Sequence, residues 1–418
     1  MSAGNAHVGT AAQACPEPAQ RAERSNPAEQ GLCGSEATLD TEWSILLAAC
    51  SAIPSEQKRE RLLSLLRQPV RWQKLHALAD HHSTQPLLSH ALSRVEEAVP
   101  AAEVQFLRQG WQTNLHKALL LSRELIRLIE HLSARGIEVM PYKGPALAEL
   151  LYSDVALRHS GDIDLLIHPE DLPRIRDAVR ELGYTPHDHF SAREERSYLK
   201  SGYECAFDGA AGPNLLELQW AVLPRFYAVD FDMDGLFRRA ATLSVAGQNM
   251  RTLSRADYFL VLSLHAAKHT WGRLAWLSDI ARLMSLPSLD WEWIGAQATD
   301  LGIVRLLQVS MLTANRLLNA SIPAAAKRIF RQDGATTALA KKIETHIVGT
   351  SAFNVESLAY FRLMMRLRER PADRLRFLAR LTFTPGPSEW AAVRLPGFLS
   401  PLYRLIRLTR LAAKLLRS

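Results

Sequence analysis

Between residues 43 and 135 apolar positions recur at intervals of three and four, as in Leu62, Leu63, Leu65 and Leu66 and later Leu119, Leu120, Leu121, Leu125, Leu128 and Leu132. That period marks amphipathic helices, so residues 38–135 are expected to form an N-terminal helical region. Its last helix is expected over 101–134, with Gly136 where a glycine closes a helix. At 137–140 a short apolar run stands between a glycine and Pro141, which suits a buried strand. A helix over 145–152 follows, with proline in its first turn. Residues 163–167 then read as a strand and 169–182 as an amphipathic helix capped by Gly183. Two further strands, 203–207 and 215–223, are separated by the turn-forming segment DGAAGPN. This order predicts a small mixed sheet within residues 136–253. From Ser254 the helical period returns, over 255–269, 274–283, 291–301, 303–318 and on to about Leu381, so 254–385 is expected to be a second helical domain enclosing the sheet from its other side. The predicted fold class is α+β, a small mixed sheet flanked by N- and C-terminal helical regions. There is no internal repeat.

Composition changes this picture at the two ends. Residues 1–37 are rich in Ala, Gly, Ser, Pro, Gln and Glu and carry too few large apolar side chains to offset the entropy of ordering, so a disordered tail is expected. The segment FTPGPSEW interrupts the later helices, and residues 386–418 form a basic C-terminal segment. In it Arg404, Arg407, Arg410 and Lys414 are spaced by three and four opposite leucines. A terminal helix packed on the body is expected, with peripheral contact to a membrane surface or a polyanion as the alternative. For the remainder, 418 residues with 47% hydrophobic content allow two or three packed units. The 50 basic and 43 acidic side chains give a net charge of +7, a modest excess that only weakly favours a polyanionic ligand. Cys15, Cys33, Cys50 and Cys205 form no CxxC pair, which fits a reducing compartment. No apolar run approaches the roughly eighteen residues of a membrane span, and no basic region precedes an apolar stretch at the N-terminus, so a cytoplasmic protein is expected.

Candidate chemistry centres on GDIDLLI, where strand alternation places Asp162 and Asp164 on one face and Ile163 on the other. Two adjacent carboxylates need a cation, and a hard oxygen site completed by phosphates and water suits Mg2+, with Mn2+ as an alternative. Such a site activates an attacking hydroxyl and neutralises a departing pyrophosphate. Alone, an Asp-x-Asp pair is more often a turn or cap at a strand end. Upstream, MPYKGPALAELLY puts Lys143 and Gly144 between a strand and a helix, where a cation and free N–H groups can hold phosphates, although the spaced glycines of a Walker loop are missing. Arg158 stands a few residues before the acidic pair as a second cation or a surface arginine. In LLELQW, Glu217 and Gln219 share one strand face while Leu216, Leu218 and Trp220 take the other. A carboxylate in an apolar strand must be paired, metal-bound or at the sheet surface. His265, Lys268 and His269 fall on one helix face, either lining a cleft opposite the acids or packing with Asp279 as their partner. No glutamate follows His265, which excludes an HExxH zinc site. Trp271 and Trp276 are expected in the core.

The run KGPALAELLY, then LRHSGDIDLLI, a helix ending LGY, ELQW and finally LHAAKHTWGRLAWLSDIARL resembles the uncharacterised bacterial nucleotidyltransferase family of the polymerase-beta-like superfamily. The likeness spans residues 43–283 and is most specific over 142–220. It implies a nucleotidyltransferase sheet whose Asp162, Asp164 and Glu217 bind metal and transfer a nucleoside monophosphate from a triphosphate to an acceptor. It further implies that Glu217 assists the acceptor, that Lys143, Gly144 and Arg158 serve the nucleotide, and that His265 and His269 face the site. Two departures stand out: Lys143–Gly144 occupies the place where the superfamily usually has a Gly-Ser pair, and Gln219 stands where the family tends to have histidine. The acceptor is left open among a peptide or protein side chain, a saccharide precursor, a metabolite and an RNA end. Phosphoryl transfer at the same metal site and a non-catalytic nucleic-acid or membrane-surface binding protein are the alternative readings.

Overall fold

The computed structural model describes residues 39–187, 198–199, 202–209, 215–287, 289–349, 357–384, 393 and 402–417. Asp40–Leu381 form one compact unit, and the described part of Thr382–Ser418 belongs to another, where the basic segment is helical over Tyr403–Arg417. The expected disordered tail, and FTPGPSEW from Pro385 onward, lie outside the described residues.

The larger unit begins with the helices α1 (Thr41–Cys50), α2 (Ser55–Leu66), α3 (Trp72–His81) and α4 (Gln85–Leu92), followed by the 33-residue α5 (Ala101–Ser133). Beyond α5 the left-handed Gly136 (φ +63) turns the chain, and the Ile137 N–H returns to the Leu132 carbonyl. Next come β1 (Val139–Pro141), α6 (Gly144–Tyr152), β2 (Asp162–Ile167) and α7 (Leu172–Glu181). Gly183 (φ +89) closes α7, with the Tyr184 N–H bonded to the Val179 carbonyl. Then follow β3 (Thr185–Pro186), β4 (Glu204–Asp208) and β5 (Leu215–Gln219). The sheet runs β1-β2-β5-β4-β3, with β2 and β5 parallel and the other pairs antiparallel.

Alternation along these strands gives the sheet two unlike faces. Ile163, Leu165, Ile167, Leu216, Leu218 and Phe207 point to one side, where they form a core with Leu125, Leu128 and Leu132 of α5 and Ile175 and Val179 of α7. On the other side Met140, Tyr142 and Leu166 join a larger core, and the acidic residues of β2 and β5 share this face. That larger core contains Ile45, Leu46 and Leu88 from α1 and α4 together with Leu260, Leu277 and Leu307 from the helices Arg255–Lys268, Leu274–Ser285 and Val304–Leu318. The N- and C-terminal helices thus interdigitate on one side of the sheet while α5 and α7 cover the other, rather than each helical region taking its own side. The Ala52 N–H bonds the Leu318 carbonyl at 2.8 Å within this shared core.

The mixed α+β architecture expected from the pattern is the one observed, with shifts at the edges. The strand expected over 215–223 ends at Gln219, beyond which the Trp220 and Ala221 N–H groups converge on the one Tyr203 carbonyl, at 2.9 and 3.3 Å. The helix expected over 169–182 begins as a short 3-10 turn, Pro169–Asp171. A hairpin of β6 (Ala241–Val245) and β7 (Gln248–Thr252) was not legible. Its two-residue turn puts Ala246 and Gly247 at φ +48 and +84, and alanine lacks the usual turn signature for that conformation. No described helix is long and apolar enough to cross a membrane.

Candidate active site

Parallel pairing of β2 and β5 sets Asp164 opposite Glu217, with Asp162 two residues earlier on the same face. One carboxylate oxygen from each of the three lies within 4.8 Å of the others. This crowding raises the proton affinities of Asp162 and Glu217. Asp162 is pushed up to about 6, first by the Asp164 charge and then by burial. Glu217 is pushed up to about 8 by burial, with Asp164 and Glu204 adding to it. Asp164 is buried, and its Oδ2 has no hydrogen-bond partner. An all-oxygen donor set with excess negative charge and one orphaned carboxylate oxygen fits a hard divalent cation.

Lys143 supplies the positive charge nearest these acids. It precedes α6, and its Nζ lies 2.7 Å from Asp164 Oδ1. Burial alone would lower its pKa, but Asp164, Tyr142 and Glu217 outweigh that and hold the ammonium charged. Gly144 follows at φ +56, and a Cβ there would lie 3.1 Å from the Asp162 carbonyl oxygen. Glycine is therefore what lets this loop lie against the start of β2. The first turn of α6 has no side-chain cap, so its leading N–H groups face outward from the helix end on the same loop.

Arg158 is turned to a structural partner. Its Nε bonds Asp279 Oδ2 at 3.0 Å, and Asp279 Oδ1 accepts from the Tyr152 hydroxyl at 2.9 Å. Asp279 is thus the partner of Arg158 and Tyr152, not of the histidines as the spacing suggested. Arg158 nonetheless lies near enough to Asp162 to feel its charge. His265 and His269 pack ring to ring at 4.9 Å, and Trp276 contacts both, at 5.3 and 5.1 Å. Burial, with Lys143 among the nearby cations, keeps His265 well below its ordinary pKa, and burial with Lys268 takes His269 to about 3. Both rings are therefore neutral on the side of the site that carries Lys143. Trp271 is fully buried, with its indole N–H on Ser310 Oγ at 2.9 Å, whereas Trp276 is only half-buried.

Glu204 and Tyr142 are neighbours of the acids that no sequence pattern marked, whereas Gln219 and Lys268 were noted without their partners. Gln219, fully buried, directs its Nε2 to Glu217 Oε2 at 3.0 Å and to Asp164 Oδ1 and Glu204 Oε2, each at 3.2 Å. Its Oε1 accepts from the Tyr142 hydroxyl. Glu204 enters because β4 pairs antiparallel with β5 and sets it opposite Gln219. Lys268 donates to the Tyr203 hydroxyl at 2.7 Å and feels the charges of Glu204, Glu217 and Asp164. The i, i+3, i+4 pattern with His265 and His269 was the one available signal for Lys268.

A small mixed sheet thus carries three clustered carboxylates on adjacent parallel strands that could hold a cation, with a lysine-glycine loop leading into a helix beside them. The chain belongs to the uncharacterised nucleotidyltransferase family, whose sequence profile matches residues 68–319. No curated protein matches it. Among solved structures, an antigenic nucleotidyltransferase-like protein from Paracoccidioides brasiliensis aligns at 16% identity over 51% of this chain and 97% of its own, with a TM-score of 0.33, too distant a likeness to add to the fold.

Proposed function

We propose that this protein moves a nucleoside monophosphate from a nucleoside triphosphate to a hydroxyl-bearing acceptor, with Mg2+ or Mn2+ held by Asp162, Asp164 and Glu217. The observation that carries the reading is the in-register carboxylate cluster, with ligand atoms within 4.8 Å and Asp164 Oδ2 unpartnered. Membership of a nucleotidyltransferase family supports it. The cation supplies charge neutralisation at the α-phosphate and the leaving group.

The protein's own groups set the rest. Lys143 and the first turn of α6 bind the triphosphate, with Gly144 keeping the loop close to β2. Arg158, fixed by Asp279, adds positive potential beside Asp162. Neutral His265 and His269 line the same side without adding charge. The acceptor oxygen bonds to the α-phosphorus as the bond to the bridging oxygen breaks, and pyrophosphate leaves with that electron pair. Glu217, in its deprotonated form, takes the hydroxyl proton. Incubation with mixed triphosphates, Mg2+ and candidate acceptors tests this: pyrophosphate should be released and the acceptor should gain the mass of a nucleotide. Release of nucleoside diphosphate with gain of phosphate alone would replace it by phosphoryl transfer.

A further inference from the structure

Gln219 occupies a position no ordinary core residue could hold. It is buried among Asp164, Glu204 and Glu217, whose oxygens all lie within 3.2 Å of its Nε2. A lysine or arginine here would neutralise the cluster and compete with a bound cation. An amide donates hydrogen bonds without bringing charge. Its two hydrogens face three acceptors, and Asp164 Oδ1 already has a closer donor in Lys143 at 2.7 Å. The amide hydrogens are therefore best used by Glu217 Oε2 and Glu204 Oε2, which fixes the Glu217 carboxylate and links it to Glu204.

The amide serves only in one orientation. Rotated by half a turn, it would press Oε1 against three carboxylate oxygens. The Tyr142 hydroxyl, which donates to Oε1, adds to the preference for the orientation that keeps Oε1 away from those carboxylates. Tyr142 is fully buried, and burial moves its pKa above the ordinary tyrosine range.

We propose that Tyr142 and Gln219 form a positioning unit for the metal site: the Tyr142 hydroxyl locks the Gln219 amide, and the amide holds Glu217 while Asp164 keeps its unpartnered oxygen for the cation. This rests on the active-site reading above. Neither residue touches the reacting atoms. Both act through the carboxylates, as hydrogen-bond partners of ligands tune metal sites generally.

Mn2+ binding to the full chain, followed by electron paramagnetic resonance, tests the unit alongside metal-free thermal unfolding. Five proteins are compared: wild type, Asp164→Asn, Gln219→Leu, Tyr142→Phe and the Gln219→Leu/Tyr142→Phe double variant. Asp164→Asn should abolish binding. Gln219→Leu should weaken it about 10- to 100-fold. Tyr142→Phe removes a single oxygen and should weaken binding less. The double variant should be no weaker than Gln219→Leu alone, because Tyr142 acts only through the amide. Unchanged Mn2+ affinity in both single variants, whatever happens to their melting temperature, would overturn the proposal while leaving the active-site reading intact. Additive losses in the double variant would overturn the coupling. Absence of Mn2+ binding by the wild type would overturn both the proposal and the reading it rests on.

Discussion

Gly144 shows how much of the site depends on one backbone position. With φ at +56 and the Asp162 carbonyl oxygen 3.1 Å from where a Cβ would stand, alanine there meets both conformational and steric resistance. Gly144→Ala should cost about 1–2 kcal/mol in urea unfolding and weaken triphosphate binding by moving Lys143 off Asp164. Wild-type affinity in a destabilised variant would show that the loop does not serve the nucleotide. Asp162 and Asp164 were legible as a pair because alternation on a strand is fixed by the sequence alone, whereas Glu217, which meets them through β2–β5 pairing, joined them through the family resemblance. Gln219 was noticed as Glu217's neighbour on one strand face and as a departure from a family pattern, without its hydrogen-bond partners. Glu204 and Tyr142 were invisible, because they reach Gln219 through strand register and through contacts 15 and 77 positions apart. Arg158 was read as facing the nucleotide because its anchor Asp279 lies 121 positions further along.

At the scale of elements, the site stands on a sheet whose other face is wholly apolar. Leu125, Leu128 and Leu132 of α5 pack there, fully buried, against strand residues such as Leu165 and Leu218. Removing one of them leaves a cavity beneath the carboxylates without altering their face. Leu125→Ala should therefore lose about 2–5 kcal/mol of stability while the folded variant retains cation affinity within a few-fold. Loss of cation binding in well-folded Leu125→Ala would mean that the acids are positioned by α5 packing rather than by strand register. The helices and main strands were readable from their periods and glycine stops. The β6–β7 hairpin was not, because its turn uses Ala246 in a left-handed conformation. The sharing of one core by early and late helices was also hidden, since periodicity identifies a buried face and not its partner.

Across the whole molecule, the acidic cluster ties stability to protonation. Glu217 has a folded-state pKa raised from 4.5 to about 8, so the folded protein holds this proton more tightly than the unfolded chain does. Its contribution is therefore lost as pH rises through about 4.5 to 8 and is constant above that. The neutral histidines act in the opposite sense, since the lowered pKa of His269 costs stability as pH falls below about 6.5. Comparing Glu217→Gln with wild type removes this background. The metal-free variant should gain in melting temperature relative to wild type as pH rises from about 4.5 to 8, and Mg2+ should stabilise the wild type selectively. A difference independent of pH would show that Glu217 is not held protonated by its surroundings. The central claim is that Asp162 and Asp164 hold the cation that carries a triphosphate. Calorimetric titration of a non-hydrolysable nucleoside triphosphate, with and without Mg2+, into wild type and Asp162→Asn/Asp164→Asn measures this directly. Binding should require Mg2+ in the wild type and vanish in the folded double variant; equal, Mg2+-dependent affinity in both would contradict the account.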